Sequence, residues 1–197
     1  MAHVIHSINA TVSGRCHHLD SVIDDAHHQY AIDLVSSASA MILGRHTFEL
    51  FDAFWPAAAS RQDLPENTLA LANALATVPK YVVSGARPLG ESRSSDMAGS
   101  TWANVRHLSN GNAEPGLAGL AKALHSMQGS AVVFGSPGLA AAMLQSALIN
   151  EVHVLVQPFV GAEGPSAYAG LPDRVALSLI EARPFPSGAV LLRYRVC

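Results

Sequence analysis

Cysteine is almost missing: Cys16 and Cys197 are the only two in 197 residues, which excludes a disulfide framework or a cysteine-rich zinc site. Charge is scarce as well, at 14% of residues, with 12 basic against 15 acidic side chains and a formal net charge of −3. No two Lys or Arg residues are adjacent, so the chain lacks the basic stripe that displaces phosphate counterions, and nucleic acid is not an expected partner. No apolar stretch approaches the roughly 20 residues that span a bilayer, which removes the membrane as a partner. The N-terminal stretch Met1-Ala2-His3-Val4-Ile5-His6 has neither the basic start nor the apolar core of a signal peptide, and the expected location is the cytoplasm.

What is abundant is apolar residues, 49% of the chain, enough to bury a full core and to read residues 1–197 as a single domain. Histidine is also frequent, with His17-His18 and His27-His28 as adjacent pairs around Asp20, Asp24 and Asp25. The spacing is not that of a helical ligand pair, and solvated surface histidines are the plainer reading, so no metal is expected.

Strand-like and helix-like segments alternate. Val4–Ile8 reads as a strand, and 24–37 carries Ala26, Tyr30, Leu34 and Val35 at helical spacing behind Asp24 and Asp25. Ala40–Leu43 is a compact apolar strand ended by Gly44, with a short helix over 47–54. The Ala-rich stretch 57–77 reads as a loop with a helix from Asn67, and Tyr81–Ser84 as a strand before a turn-rich stretch to Gly99. Helices follow over 117–127 and 138–146, flanking a strand at 131–134. The last third alternates with period two over 151–156, 175–180 and 189–196, and Pro186-Ser187-Gly188 forms the turn between the last two. This order predicts an α/β fold with a mixed, mainly parallel sheet flanked by helices and a C-terminal antiparallel hairpin.

Two segments share one form: a buried strand, a Gly-containing turn, then a helix start. They are Met41-Ile42-Leu43-Gly44-Arg45-His46-Thr47 and Val132-Val133-Phe134-Gly135-Ser136-Pro137-Gly138-Leu139. Helix starts at the carboxyl ends of strands offer unpaired N–H groups that suit phosphate, and glycine lets backbone approach it closely. Two such turns on one sheet suit a ligand with more than one phosphate, although neither matches the Rossmann or P-loop pattern. The plain alternative is that each glycine only makes a turn.

At these residues the chain resembles the dihydrofolate reductase-like superfamily. Ile42-Leu43-Gly44-Arg45-His46-Thr47-Phe48-Glu49 is similar to the strand–turn–helix signature of dihydrofolate reductase. The rest resembles more the reductase domain of riboflavin biosynthesis, the C-terminal part of the bacterial bifunctional deaminase-reductase. The matching segments come in the family's order: Phe54-Trp55-Pro56, 78–84, 134–139, 148–153, 157–164 and 185–190. The resemblance implies NADPH as cofactor, bound across the carboxyl ends of the strands. By position it implies Gly44, Arg45, His46 and Thr47 at the cofactor phosphates, and Ser84, Gly85 and Arg87 at the adenosine 2′-phosphate. It places Gly135, Ser136, Gly138 and Leu139 over the pyrophosphate, and Ala10 with Val12-Ser13-Gly14 beside the nicotinamide.

Two positions depart from the family pattern. Riboflavin-type members carry Ser-Leu-Asp-Gly where this chain has Thr11-Val12-Ser13-Gly14, so a carboxylate is replaced by Ser13. The acid that dihydrofolate reductase carries on its first helix falls near His28, with His27, Asp24 and Asp25 as neighbours, and Asp24, Asp25 and His28 are the catalytic candidates. Each also reads as a helix-start or solvated residue. Glu151 and His153 lie opposite the Val152-Val154-Val156 face, which suggests edge or groove residues, or a dimer contact, with a structural rather than a catalytic role. Trp55 could stack on a flat heterocycle or pack in the core. The expected activity is hydride transfer from NADPH to a small, pterin- or pyrimidine-like heterocycle, by a chain expected to form a homodimer. The alternative is a nucleotide-binding protein of the same fold without turnover.

Overall fold

The computed structural model describes residues 1–84, 102, 104–109, 116–161 and 163–197. Gly85 and Arg87, and the turn-rich stretch that contains them, lie outside the described residues. Strand β1 (His3–Thr11) leads through helix α1 (Asp25–Ser36) to β2 (Ala40–Gly44), then α2 (Arg45–Asp52), α3 (Trp55–Ala58), α4 (Glu66–Thr77) and β3 (Lys80–Ser84). β4 (Val105–Ser109), α5 (Gly116–Ser126), β5 (Ser130–Phe134) and α6 (Pro137–Gln145) follow. The chain closes with β6 (Glu151–Gln157), β7 (Leu177–Pro184) and β8 (Val190–Val196).

These strands form one 8-stranded sheet in the order β4-β3-β2-β5-β1-β6-β8-β7. All pairings among β1 to β6 are parallel, while β8 runs antiparallel to both β6 and β7. This is the expected mixed sheet with its terminal hairpin, and the fold is dihydrofolate reductase-like. β2 reads Ala-Met-Ile-Leu because both faces are covered. On one face Ile42, Val133 and Val152 pack with Leu120, Leu124 and Met143 from α5 and α6. On the other, Met41, Leu43 and Val82 meet Val35, Leu71 and Leu75 of α1 and α4, and Leu155 and Leu191 meet Tyr30 and Leu34 of α1.

Four local expectations are corrected. β7 spans Leu177–Pro184 rather than 175–180, with a register shift between Leu179 and Glu181. It is an exposed edge strand, so no buried face imposes a clean alternation. The stretch before Asn67 contains the short helix α3, and β4 was not foreseen. Of the two places expected for Glu151 and His153, the edge is excluded, since β6 lies between β1 and β8, while His153, 2% exposed, lines a groove beside α1. Trp55 starts α3 half-buried, its ring 5.1 Å from Phe54 and 6.3 Å from Phe51. Among the described residues no helix is long and apolar enough to cross a membrane.

Candidate active site

The site follows from strand lengths. β5 stops at Phe134, opposite Ser7, while β1 continues to Thr11 and stays paired with β6 up to Gln157. Beyond Ser7 the β5 side of β1 is therefore uncovered by strand, which opens a crevice at the carboxyl ends of the parallel strands. Ligands of open α/β sheets bind at such a place.

The two Gly turns meet on one side of this crevice, because β2 and β5 are neighbours. Gly44 N–H donates to Ser136 Oγ at 2.8 Å, and Ser136 N–H donates to Thr47 Oγ1 at 3.2 Å. The Ser136 and Thr47 hydroxyls are 2.8 Å apart. A Cβ on Gly44 would come to 3.0 Å from Ser136 Oγ and 3.2 Å from its Cβ, so the close approach of the two turns favours glycine there. Gly135 and Ser136 both adopt left-handed backbone, φ +53° and +52°; for serine this is strained and needs the surrounding bonds to hold it. Both helices that start here, α2 at Gly44 and α6 at Ser136, lack a side-chain cap. No N-cap side chain is spent on either helix start, the arrangement that suits an anionic ligand. Arg45 and Thr47 are half-buried and His46 is exposed beside them, while Gly138 is open and Leu139 packs inward.

His6 anchors the second turn from below. It is fully buried in β1, with Nε2 2.9 Å from the Gly135 carbonyl and Nδ1 3.1 Å from Tyr168 Oη. A carbonyl only accepts, so Nε2 carries the proton and Nδ1 accepts from the Tyr168 hydroxyl. Burial pushes the His6 pKa down to about 4 despite the Gly135 bond, so the ring is neutral near pH 7. At the end of β3, on the far side of β2 from β5, Ser84 Oγ is buried and among the described residues has no hydrogen-bond partner, an atom a ligand hydroxyl or phosphate would satisfy. These features fit a dinucleotide: an orphan hydroxyl, two helix starts without a side-chain cap, and a close turn-to-turn contact at a glycine.

Across the crevice, Ala10 is buried against Ile8 and Ala167, and Gly14 sits in left-handed backbone at φ +76°. Ser13 does not face open space with a free hydroxyl. It donates to the Gly161 carbonyl at 2.9 Å and accepts from Gly161 N–H at 3.2 Å, with Thr11 Oγ1 3.0 Å away. A carboxylate here could not donate to that carbonyl.

Of the three acid–base candidates, Asp24 is the N-cap of α1. One oxygen accepts from His27 N–H at 2.8 Å, the other from Ser187 N–H at 2.7 Å. Burial disfavours its charge, but these bonds outweigh that and hold the carboxyl below its usual range. Asp25 is exposed and accepts from Asn67 Nδ2 at 2.9 Å. His28 is half-buried on the same turn. His27 is buried against Phe185, ring centres 5.9 Å apart. The His17 and His18 rings lie 4.6 Å apart, and among the described residues no set of His, Cys, Asp and Glu is arranged to hold a metal.

The sequence reading missed His6, Tyr168, Asn9 and Gln157. The signal was present: Ser7, Asn9 and Thr11 repeat with period two on β1. It reads as a solvent face until the strand is known to be internal.

The family model of the RibD C-terminal domain matches residues 2–191. No curated protein matches the chain. Its fold is similar to that of a pyrimidine reductase-like protein from Corynebacterium diphtheriae, at 13% identity and TM-score 0.66, covering 100% of this chain and 92% of that one. The diaminohydroxyphosphoribosylaminopyrimidine deaminase/5-amino-6-(5-phosphoribosylamino)uracil reductase from Thermotoga maritima is similar at 13% identity and TM-score 0.67, and this chain, covered in full, spans 57% of it. Dihydrofolate reductase from Enterococcus faecalis, complexed with NADP(H), is similar at 11% identity and TM-score 0.62, over 98% of this chain and 96% of that one. Identities this low speak for the fold alone. The family follows from the match over nearly the whole chain: this protein belongs to the RibD C-terminal domain family.

Proposed function

We propose that the protein is an NADPH-dependent reductase that transfers a hydride to a small pterin- or pyrimidine-like heterocycle. One observation carries this: Ser136 and Thr47 knit the Gly44 and Gly135 turns into a single cradle beside the crevice that β1 opens by outrunning β5. When bound, NADPH supplies the hydride. The chain's part is to hold and orient it. Gly44, Arg45, His46 and Thr47 bind phosphate at the start of α2, and Gly135, Ser136, Gly138 and Leu139 do so at the start of α6. Ser84, with Gly85 and Arg87 beyond it, takes the 2′-phosphate end, and Ala10 and Gly14 flank the nicotinamide. His6 keeps the Gly135 carbonyl turned inward, so that the N–H groups of that turn face outward. The proton is assigned to the first turn of α1, where Asp25 and His28 remain available while Asp24 is held as an anion.

NADPH titration of the purified protein is expected to saturate in the micromolar range. Arg45→Ala and Thr47→Ala should each weaken binding about tenfold, the loss of one charge-assisted or buried hydrogen bond. No binding at tens of micromolar overturns the proposal. A second reading, cofactor binding without turnover, is favoured by the engagement of both acid positions: Ser13 links two loops and Asp24 caps a helix. Stopped-flow oxidation of bound NADPH by a heterocycle panel separates the two, because any turnover rejects the second. We further assign the protein to the cytoplasm as a homodimer. The second copy would cover the edge strand β7, where Leu177, Leu179 and Ile180 are exposed; sedimentation tests this.

A further inference from the structure

The substrate side of the crevice carries one polar group with a direction, and its direction can be deduced without seeing hydrogens. Gln157, at the end of β6, is fully buried, and its Oε1 receives the backbone N–H of Val22 at 2.9 Å. A main-chain N–H only donates, so the atom it meets is the amide oxygen. The other end of Gln157, Nε2, then donates to Asn9 Oδ1 at 2.9 Å. That orients Asn9 in turn: its oxygen faces β6, and its Nδ2 is left on the opposite side, where β5 has already ended. Asn9 is half-buried, and among the described residues Nδ2 has no hydrogen-bond partner. The buried chain Val22–Gln157–Asn9 thus presents an unspent N–H₂ donor to the crevice.

The groups around it spend themselves on one another. Thr11 and Ser13 direct their hydroxyls at the Gly161 carbonyl, and both oxygens of Asp24 hold backbone N–H groups. At the level of Asn9, the wall formed by Asn9, Thr11, Ser13 and Gln157 therefore offers a donor and no carboxylate. A ligand edge that carries N–H groups or a positive charge would meet N–H against N–H there, an arrangement that leaves a desolvated donor unpaired.

We propose that Asn9 is the specificity-determining residue of the substrate subsite, donating through Nδ2 to an acceptor atom on the edge of the heterocycle that faces β1. This deepens the reductase proposal and rests on its placement of the substrate beside β1.

A matched pair of probes tests it: 5,6-diaminouracil, and 2,4,5,6-tetraaminopyrimidine, in which amino groups replace both carbonyls. Binding of each is measured by calorimetry for the wild type, Asn9→Asp and Asn9→Ala, with and without saturating NADPH. Asn9→Asp retains an acceptor for Gln157, exchanges the outward donor for an acceptor and adds a negative charge. Wild type should prefer the uracil by about tenfold or more, Asn9→Ala should lose most of that preference, and Asn9→Asp should reverse it. NADPH affinity and thermal unfolding, followed alongside, show that the cradle and fold are intact. A wild type that prefers the tetraamine, or binds neither probe, overturns the assignment, as does an Asn9→Asp variant that keeps the uracil preference. Failure to bind NADPH sinks the reductase reading instead, and the cofactor-free titrations still decide the role of Asn9.

Discussion

Two polar clusters sit under α1 on the same face of the sheet, and they treat their hydrogen-bonding groups in opposite ways. Toward the amino end of β6, Ser7, Tyr30, His153, Glu151, Arg193 and Glu181 form a continuous chain. Tyr30 Oη lies 2.9 Å from both Ser7 Oγ and His153 Nδ1, and Glu151 Oε2 lies 3.1 Å from His153 Nε2. Arg193 reaches Glu151 at 3.4 Å and Glu181 at 3.0 Å. Toward the carboxyl end, Asn9, Gln157, Thr11 and Ser13 are all neutral, and one donor is left over. The first cluster borders a groove of about 270 Å³ that Arg183 and Asp33 also line, yet its charges are already matched, because an unpaired ion beside a core is costly. The second borders the crevice and can leave a neutral amide incomplete, since its desolvation costs far less than that of an ion. Paired charge holds the frame together, and unpaired neutral polarity is what a ligand can read.

The sharpest way to break this contrast is to remove the charge that organises the first cluster. Glu151→Leu should cost about 3 kcal/mol of stability in denaturant unfolding, since it takes the carboxylate from buried His153 and from His3 and leaves Arg193 with Glu181 alone. NADPH and heterocycle affinities should stay within about twofold. If ligand affinity falls along with stability, the clusters are coupled and the division between them fails.

Acid provides the next test. His6 is neutral in the folded state, with its pKa lowered to about 4 from 6.5 by burial. A histidine depressed in this way binds its proton more readily when unfolded. Its contribution is therefore full above about pH 6.5 and is lost as the pH falls from there toward 4. The loss amounts to about 3 kcal/mol by pH 4. Burial lowers His153 too, against the opposing pull of Glu151, so the charged cluster weakens in the same direction, while the neutral wall has nothing to titrate. His6→Gln, which keeps a donor for Gly135, should flatten the dependence of Tm on pH between 6.5 and 4; an unchanged slope would mean that His6 is not the titrating anchor.

The smallest effect belongs to the neutral wall. Ser13→Ala removes an exposed hydroxyl from the Gly161 link and should cost about 0.5–1 kcal/mol. A loss several times larger would show that this wall, too, carries part of the frame.

Much of the fold was readable because its signals are local. Strands such as Ala40–Leu43 are continuously apolar, Asp24 marks a helix start, and Pro186-Ser187-Gly188 marks a turn. The limits of β7 and the position of β6 were not readable, since periodicity reports which residues share a face and not what covers it. The same ambiguity hid the site's own wiring. Ser7, Asn9 and Thr11 alternate as a solvent face would, and only the placement of β1 between β5 and β6 puts Ser7 in the paired cluster and Asn9 and Thr11 beside the crevice. Asp24 shows the reverse: in sequence it stands where an acid–base group is sought, and in the fold its oxygens are taken by His27 and Ser187.

The sequence by itself determined the order of elements, the two Gly turns and the family, because each depends on residues close together along the chain. The tertiary structure decided that Gly44 and Gly135 form one cradle, that His6 holds it, and that the Asn9 donor faces the crevice. Those outcomes depend on which strands become neighbours and how far each extends past the next, and the sequence carries no local signal for either.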